Sequence, residues 1–185
     1  MKVRVMRDED DIEQVSKLTA QVFGGEREEE IYELLKEAYL KCPYLRNELC
    51  AVVEVEGRIV SKAQIIEYRM RVGRALVKMG GIMGVATHPE HRGKGYASKA
   101  INRCIEMMKE EGFDISMLFG IEGFYHRFGY VPVVPDYELT LNADSARERG
   151  GNGTFREIEE NEIERMLEIY HLSNEERTGA IVRPP

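Results

Sequence analysis

Residues 80–112 read GGIMGVATHPEHRGKGYASKAINRCIEMMKEEG, and the rest of the chain is organised around them. The apolar run Ile82 to Thr87 has the composition of a strand. Pro89 has no amide to donate and cannot extend a central strand, so the strand ends at or before His88. Beyond the turn, Ala97, Ala100, Ile101, Cys104, Ile105 and Met108 recur with helical spacing, which gives one buried stripe that Gly112 closes. Between strand and helix lies Arg92-Gly93-Lys94-Gly95-Tyr96-Ala97, a basic turn with two glycines.

The first N–H groups of a helix have no intrahelical partner and sit at the positive end of its dipole. Gly93 and Gly95 can take φ > 0 and let a bulky anion reach the main chain, while Arg92 and Lys94 add charge. A pyrophosphate suits this turn. A plain strand-to-helix loop, with glycines serving geometry alone, fits the same residues. Gly93-Lys94-Gly95 is not followed by the third glycine of a dinucleotide fingerprint, and no Gly-Lys-Ser/Thr closes a phosphate loop of the nucleotide-hydrolase type.

Arg92-x-x-Gly95-x-Ala97 resembles the Gln/Arg-x-x-Gly-x-Gly/Ala signature of the general N-acetyltransferase (GNAT) superfamily, preceded by the family-like run Gly84 to His91. A second block, Phe124-Tyr125-His126-Arg127-Phe128-Gly129-Tyr130, is similar to the superfamily's late helix-to-strand element. The resemblance implies an α/β (α+β) GNAT fold, a mixed and mostly antiparallel sheet with a central splayed parallel strand pair and flanking helices. It implies acetyl-coenzyme A as co-substrate. The pyrophosphate would lie on Arg92, Gly93, Lys94, Gly95, Tyr96, Ala97 and Ser98, and the pantetheine arm along the backbone of Val85, Ala86 and Thr87.

It further implies transfer of acetyl to a primary amine of a small molecule or peptide by direct attack. The strand end near Val85 offers an oxyanion donor, and Tyr125 matches the position of the general acid beside the coenzyme sulfur. Packing beside Phe124 and Phe128 is the alternative use of Tyr125, and a module that binds coenzyme A without turnover is the alternative function. His126, His88 and His91 read as surface or structural residues. Many relatives carry a glutamate on the strand before the turn, but Lys78 to Met83 hold no carboxylate. Eis-type (enhanced intracellular survival) proteins use their own C-terminal carboxylate as base, and their N-terminal acetyltransferase domain is the part this chain resembles most.

The chain has 185 residues, 43% hydrophobic and 32% charged, the profile of a soluble globular domain with an appendage. No apolar run is long enough to span a membrane, and Met1 to Val5 alternates where a signal peptide needs continuous apolarity, so a cytoplasmic protein is expected. Cys42, Cys50 and Cys104 have unrelated spacings and suggest neither a disulfide framework nor a metal site. A net charge of -7 speaks against nucleic acid as partner.

Outward from the centre, Val3 and Val5 predict a first strand. Asp8 caps a helix with the stripe Ile12, Val15, Thr19, Val22 and Phe23, its start enriched in Glu9, Asp10 and Asp11. After Gly24-Gly25, a second helix carries Ile31, Leu34, Leu35, Ala38 and Tyr39 and closes before Pro43. The resemblance places this helical pair beside the acceptor groove, with Glu26, Glu28, Glu29 and Glu30 near its mouth. Leu49 to Val55, Arg58 to Val72 and Ala75 to Thr87 form a meander with turns at Glu56-Gly57 and Gly73-Arg74. A shift of the apolar phase predicts a bulge near Ile65. Phe113 to Phe119 reads as a buried strand, parallel to the one ending at Thr87 because a helix joins them. A short helix near Gly123 to Phe128 and strands near Tyr130 to Val133 and Tyr137 to Leu141 follow.

Residues 1–142 thus make the acetyltransferase domain, and the polar, glycine-rich 143–153 a linker. Residues 154–185 resemble the start of a second such domain, with a strand at Thr154 to Ile158 and a helical stripe of Ile163, Met166, Leu167 and Tyr170. An apolar stripe is unfavourable in water, so this tail is expected to dock on the first domain or on a second copy of the chain, a homo-oligomer contact.

Overall fold

The computed structural model describes residues 1–133, 144 and 156–183. Strands β1 (Lys2–Val5), β2 (Cys50–Val55), β3 (Arg58–Val72), β4 (Ala75–Thr87) and β5 (Ile115–Met117) lie side by side in that order, with β6 (Ile181–Val182) also paired to β3. Every pairing is antiparallel except that of β4 with β5, where Met79, Gly80 and Gly81 face Ile115, Ser116 and Met117. The expected mixed sheet with one parallel pair is present.

The sheet is buried on both faces. Helix α3 (Tyr96–Glu110) packs on one side, its Ala100, Ile101, Cys104, Met107 and Met108 against Ala51, Val53, Ala63, Ile65 and Ile82. Helices α1 (Glu9–Phe23) and α2 (Glu28–Lys41) cover the other, with Ile12, Val15, Leu18 and Tyr39 on Cys50, Val52, Ile59 and Ala86. Each fully buried aliphatic side chain contributes ~1.5–3 kcal/mol. The buried Cys50 and Cys104 are free thiols, driven up to about 11 and about 12 by burial, and Cys42 is an exposed free thiol.

Burial on both faces corrects the expected bulge. Ile65 and Ile66 point to opposite sides and both are buried, so no phase change occurs there. The irregularities lie at Val60, where Glu54 pairs with Ile59 and Val53 with Ser61, and in β4, where Gly84 and Val85 together oppose Ala63. The turn at Glu56-Gly57 has φ of 51 and 80, the left-handed pair that suits a tight hairpin.

Local signals at the helix starts hold. The Asp8 carboxylate accepts the Asp11 N–H at 3.0 Å and caps α1. Asp11 itself is buried rather than free to face solvent. Arg4 Nη1 and Nη2 donate to its two oxygens at 2.5 and 2.7 Å, and Arg4 Nε donates to Glu54 at 2.7 Å. Burial pushes the Asp11 carboxyl up, but the hydrogen bonds from Arg4 and the Arg7 amide outweigh it and leave it below its ordinary value. A carboxyl lowered by folding stabilises above its unfolded pKa, and that contribution is lost as pH falls through the folded value. Arg4→Met strands this carboxylate in the core, and we expect a loss of about 3 kcal/mol in urea unfolding at neutral pH. The wild-type advantage should shrink on acidification; a variant as stable as wild type at pH 7 would remove the pair from the list of fold determinants.

Several expectations are corrected. Phe23 and Leu34 are 59% and 62% exposed, while Leu18 and Met107 are the buried members that the stripes omitted. The strand expected over Phe113 to Phe119 is only Ile115–Met117, and Phe119 is 94% exposed, because β5 parts from β4 after Met117. Residues 130–133 are not strand, and Tyr137 to Leu141 lie outside the described residues. The tail is helical over Ile163–Asn174, α4, whereas 156–158 form no strand; 154–155 and, apart from Asp144, the linker lie outside the described residues.

The tail returns to the first domain. Arg69 and Met70 pair with Val182 and Ile181, Gly179 N–H donates to Arg71 O at 2.7 Å, and the Tyr170 hydroxyl donates to Ile181 O at 2.8 Å. Of the expected stripe, Leu167 and Tyr170 are half-buried, while Ile163 and Met166 remain exposed. No helix among the described residues is long and apolar enough to cross a membrane, and no cluster of three or more metal-ligating side chains occurs among them.

Candidate functional site

The chain leaves β4 at Thr87, makes a 3-10 turn at Pro89–His91 and enters α3 at Gly95. Gly95 is the N-cap with φ 75 and ψ 12, a left-handed conformation that gives no side-chain cap, and Gly93 also has φ 75. The first helical bond runs from Lys99 N–H to Gly95 O, so the N–H groups of Tyr96, Ala97 and Ser98 have no intrahelical partner. No acidic residue occupies the first turn of α3, unlike α1 and α2, so nothing on the helix itself offsets the positive pole.

A cavity of about 280 Å³ opens at this helix start, lined by Thr87, His91, Arg92, Gly93, Gly95, Tyr96, Ala97, Ser98, Phe124 and Arg127. All the turn residues singled out from sequence line it except Lys94, whose ammonium donates back to Glu90 O at 3.1 Å. Three members, His91, Phe124 and Arg127, were not expected. His91 is half-buried against the Tyr96 ring, and its Nδ1 is buried with no hydrogen-bond partner, so it belongs to the cavity wall rather than to the surface. Arg127 reaches in from the segment after β5, its guanidinium 4.7 Å from the Phe124 ring and its Nε donating to Phe124 O at 3.0 Å. His88 caps the 3-10 turn, its Nδ1 accepting the Glu90 N–H at 3.3 Å.

The pairing of β4 with β5 ends at Gly81 and Met117, yet β4 continues to Thr87. A second cavity, about 510 Å³, is lined by the end of β5 and the segment after it, including Met117, Leu118, Gly120, Tyr125, His126 and Tyr130, and by no residue of β4. His126 thus lines this cavity and does not simply face solvent. Phe124 lines the first cavity and its neighbour Tyr125 the second, and their rings meet edge to face at 5.0 Å. Burial pushes the Tyr125 phenol up, and it keeps its proton across the neutral range.

On β4 the bulge lies beyond the last pairing with β5. Gly84 takes φ 56, the left-handed value that a bulge of this kind requires, and Gly84 and Val85 are half-buried. Ala86 instead turns into the core beneath α1 and α2, and the Thr87 hydroxyl meets Ser61 Oγ at 2.8 Å. Of the expected residues along β4, Ala86 is therefore taken up by the core and by β3, its carbonyl accepting the Ser61 hydroxyl at 2.9 Å, whereas Thr87 lines the first cavity.

No carboxylate enters the opening from β4, as its sequence requires. Glu67, cross-strand from Gly80, belongs to the α3 side of the sheet and is held by Arg46 and Lys78 at 3.3 and 3.5 Å.

Residues 2–133 match the family described as acetyltransferase (GNAT) domain. Among characterised proteins, the N-acetyltransferase Eis of Mycobacterium tuberculosis is 26% identical over 138 residues, which is 69% of this chain and 34% of that protein. The chain therefore spans about a third of the length of the curated relatives it matches. Among solved structures, a conserved protein from Enterococcus faecalis V583 superposes with a TM-score of 0.69 at 17% identity, over 99% of this chain and 46% of that one. Eis1 from Mycobacterium abscessus gives 0.56 at 15% identity, over 70% and 31% of the two chains. Glucosamine-6-phosphate N-acetyltransferase from Arabidopsis thaliana gives 0.56 at 20% identity, over 76% and 98%.

Proposed function

The chain belongs to the acetyltransferase (GNAT) domain family, and from that premise we propose that it binds acetyl-coenzyme A and transfers acetyl to a primary amine by direct attack. The observation that carries this reading is the helix-start cavity, where free N–H groups, two left-handed glycines and two arginines meet at the end of β4, beyond the point where β4 and β5 part. The residues fit the group. Free N–H groups at Tyr96, Ala97 and Ser98, with Arg92 and Arg127 beside them, suit a pyrophosphate. Beyond the last β5 pairing, Val85, which has no partner in β3, offers backbone to an extended amide-bearing arm.

When bound, acetyl-coenzyme A supplies an activated thioester. The Val85 N–H, freed from the ladder by the bulge, is the donor for the oxygen that becomes negative as the amine adds to the carbonyl. Tyr125 holds the proton that the departing sulfur needs. Holding both reactants in register contributes effective concentrations of ~10⁵ M or more. The acceptor is an amine that enters from the side of α1 and α2.

The other reading, a coenzyme A-binding module without turnover, is favoured by the lack of a carboxylate base at Lys78 to Met83 and by Glu67 being tied off on the far face. Calorimetry with acetyl-coenzyme A, followed by a free-thiol assay against polyamines, aminoglycosides and lysine peptides, separates the two. Binding with amine-dependent thiol release is the expected result. Binding without release for any amine would support the module, and absence of binding would overturn both.

A further inference from the structure

Lys62 lies in the middle of β3 and is 1% exposed, among the largest side chains buried in the chain. Such a group needs a reason, because an ammonium removed from water loses its hydration and is tolerated when a carboxylate compensates it. None of the ion pairs among the described residues includes Lys62, and its one hydrogen bond runs from Nζ to the Tyr39 hydroxyl at 3.3 Å. Burial lowers the Lys62 pKa, and burial holds the Tyr39 phenol well above its ordinary value. Gln64 extends the cluster, its Oε1 3.4 Å from the Tyr39 hydroxyl and its Nε2 donating to Ile65 O and Arg46 O.

The location of the amine gives it significance. Nζ stands 2.6 Å from the point where a Cβ on Gly84 would lie, closer than any real side chain could come, and Gly84 is the first residue of the β4 bulge. The amine thus occupies the volume that a side chain at position 84 would fill, on the α2 side of the sheet. Beneath the bulge therefore lies a polar group with hydrogen-bonding capacity left over, since a lysine side chain carries more than one N–H bond and Tyr39 accepts one of them. An apolar residue of similar length would fill the space equally well, so packing alone does not explain a lysine.

We propose that Lys62 is a positioning residue for the acetyl group: its buried amine sets the Gly84–Val85 bulge so that the Val85 N–H faces the thioester carbonyl. This rests on the acetyl-coenzyme A reading above and adds to it a residue from the core of the sheet. Lys62 acts through Gly84 and touches neither substrate. The role predicts a ligand-specific effect, since coenzyme A without an acetyl group has no carbonyl at the bulge, whereas its pyrophosphate and pantetheine contacts are unchanged.

The test compares acetyl-coenzyme A with coenzyme A by calorimetry in wild type and Lys62→Met, a substitution that keeps chain length and removes the amine. We expect acetyl-coenzyme A to bind about tenfold more weakly to the variant and coenzyme A to bind as before, with a melting temperature at or above that of wild type. A purely structural lysine would shift melting and leave the ratio of the two affinities at its wild-type value, and that result would overturn the inference. Gly84→Ala is the independent arm should the methionine variant fail to fold, because it drives a methyl into the space of Nζ and displaces the bulge from the other side. It should lower the same affinity ratio, and an unchanged ratio in this folded variant would also refute the proposal. If both ligands bind wild type with the expected affinity pattern intact in the variants, only this inference falls; if neither ligand binds wild type, the functional reading falls with it.

Discussion

Gly95→Glu abolishes coenzyme A binding while leaving the domain folded. Gly95 is in the left-handed region with φ 75, where a side chain costs ~1–2 kcal/mol, and a Cβ there meets no atom within 4 Å. The new carboxylate therefore projects into open space at the helix start and competes with the phosphates for the free N–H groups. Strain, charge reversal and lost contacts together are expected to weaken acetyl-coenzyme A binding by about a thousandfold or more, ~4 kcal/mol. Helix α3 keeps its buried stripe of Ala100, Ile101, Cys104 and Met108, so circular dichroism should match wild type. Calorimetry that returns wild-type affinity in the folded variant would remove the phosphate from this turn.

Tyr125→Phe reduces turnover by about a hundredfold with little change in acetyl-coenzyme A affinity, the low end of the range for a general acid. The substitution isolates the hydroxyl. The ring contacts with Phe124 at 5.0 Å and Tyr130 at 6.2 Å survive in phenylalanine, as does the face laid over Gly120, where a Cβ would come within 2.2 Å of the ring. Equal turnover numbers for the two proteins, measured with any amine that wild type acetylates, would assign Tyr125 to packing alone.

The parts of this site that were legible in the sequence are those encoded locally. The turn from Arg92 to Ala97 announces itself because glycine is required at two left-handed positions, 93 and 95, and because the stripe of α3 begins immediately after it. Asp8 is legible as a cap for the same reason. The bulge in β4 was not, since it is a property of two strands together: nothing near Gly84 shows that Ala63 will stand opposite two residues. The apolar pattern of β3 misled because both faces of the strand are covered, so Ile65 and Ile66 are buried side by side. Lys62 occupies an even position between the apolar Val60 and Ala63, and a lysine there reads as solvent-facing until the structure puts Tyr39 over it. Asp11 stands in the first turn of its helix as expected, but its pairing with Arg4 was not legible because Arg4 lies on another element. Arg127 joins the turn only through tertiary structure, whereas His91 adjoins it in the chain.

Strand β3 is 15 residues long, and β2 pairs only with its first half, as far as Gln64. Beyond that point its outer side would present a row of unsatisfied amides and carbonyls, the kind of margin that recruits strands from other molecules. The short segment Gly179 to Val182 occupies part of that margin, taking up the main chain at Arg69, Met70 and Arg71. Its contribution is therefore to colloidal behaviour more than to folding energy: two residues of β6 add little cohesion to the sheet, yet they stand where edge-to-edge aggregation would otherwise begin.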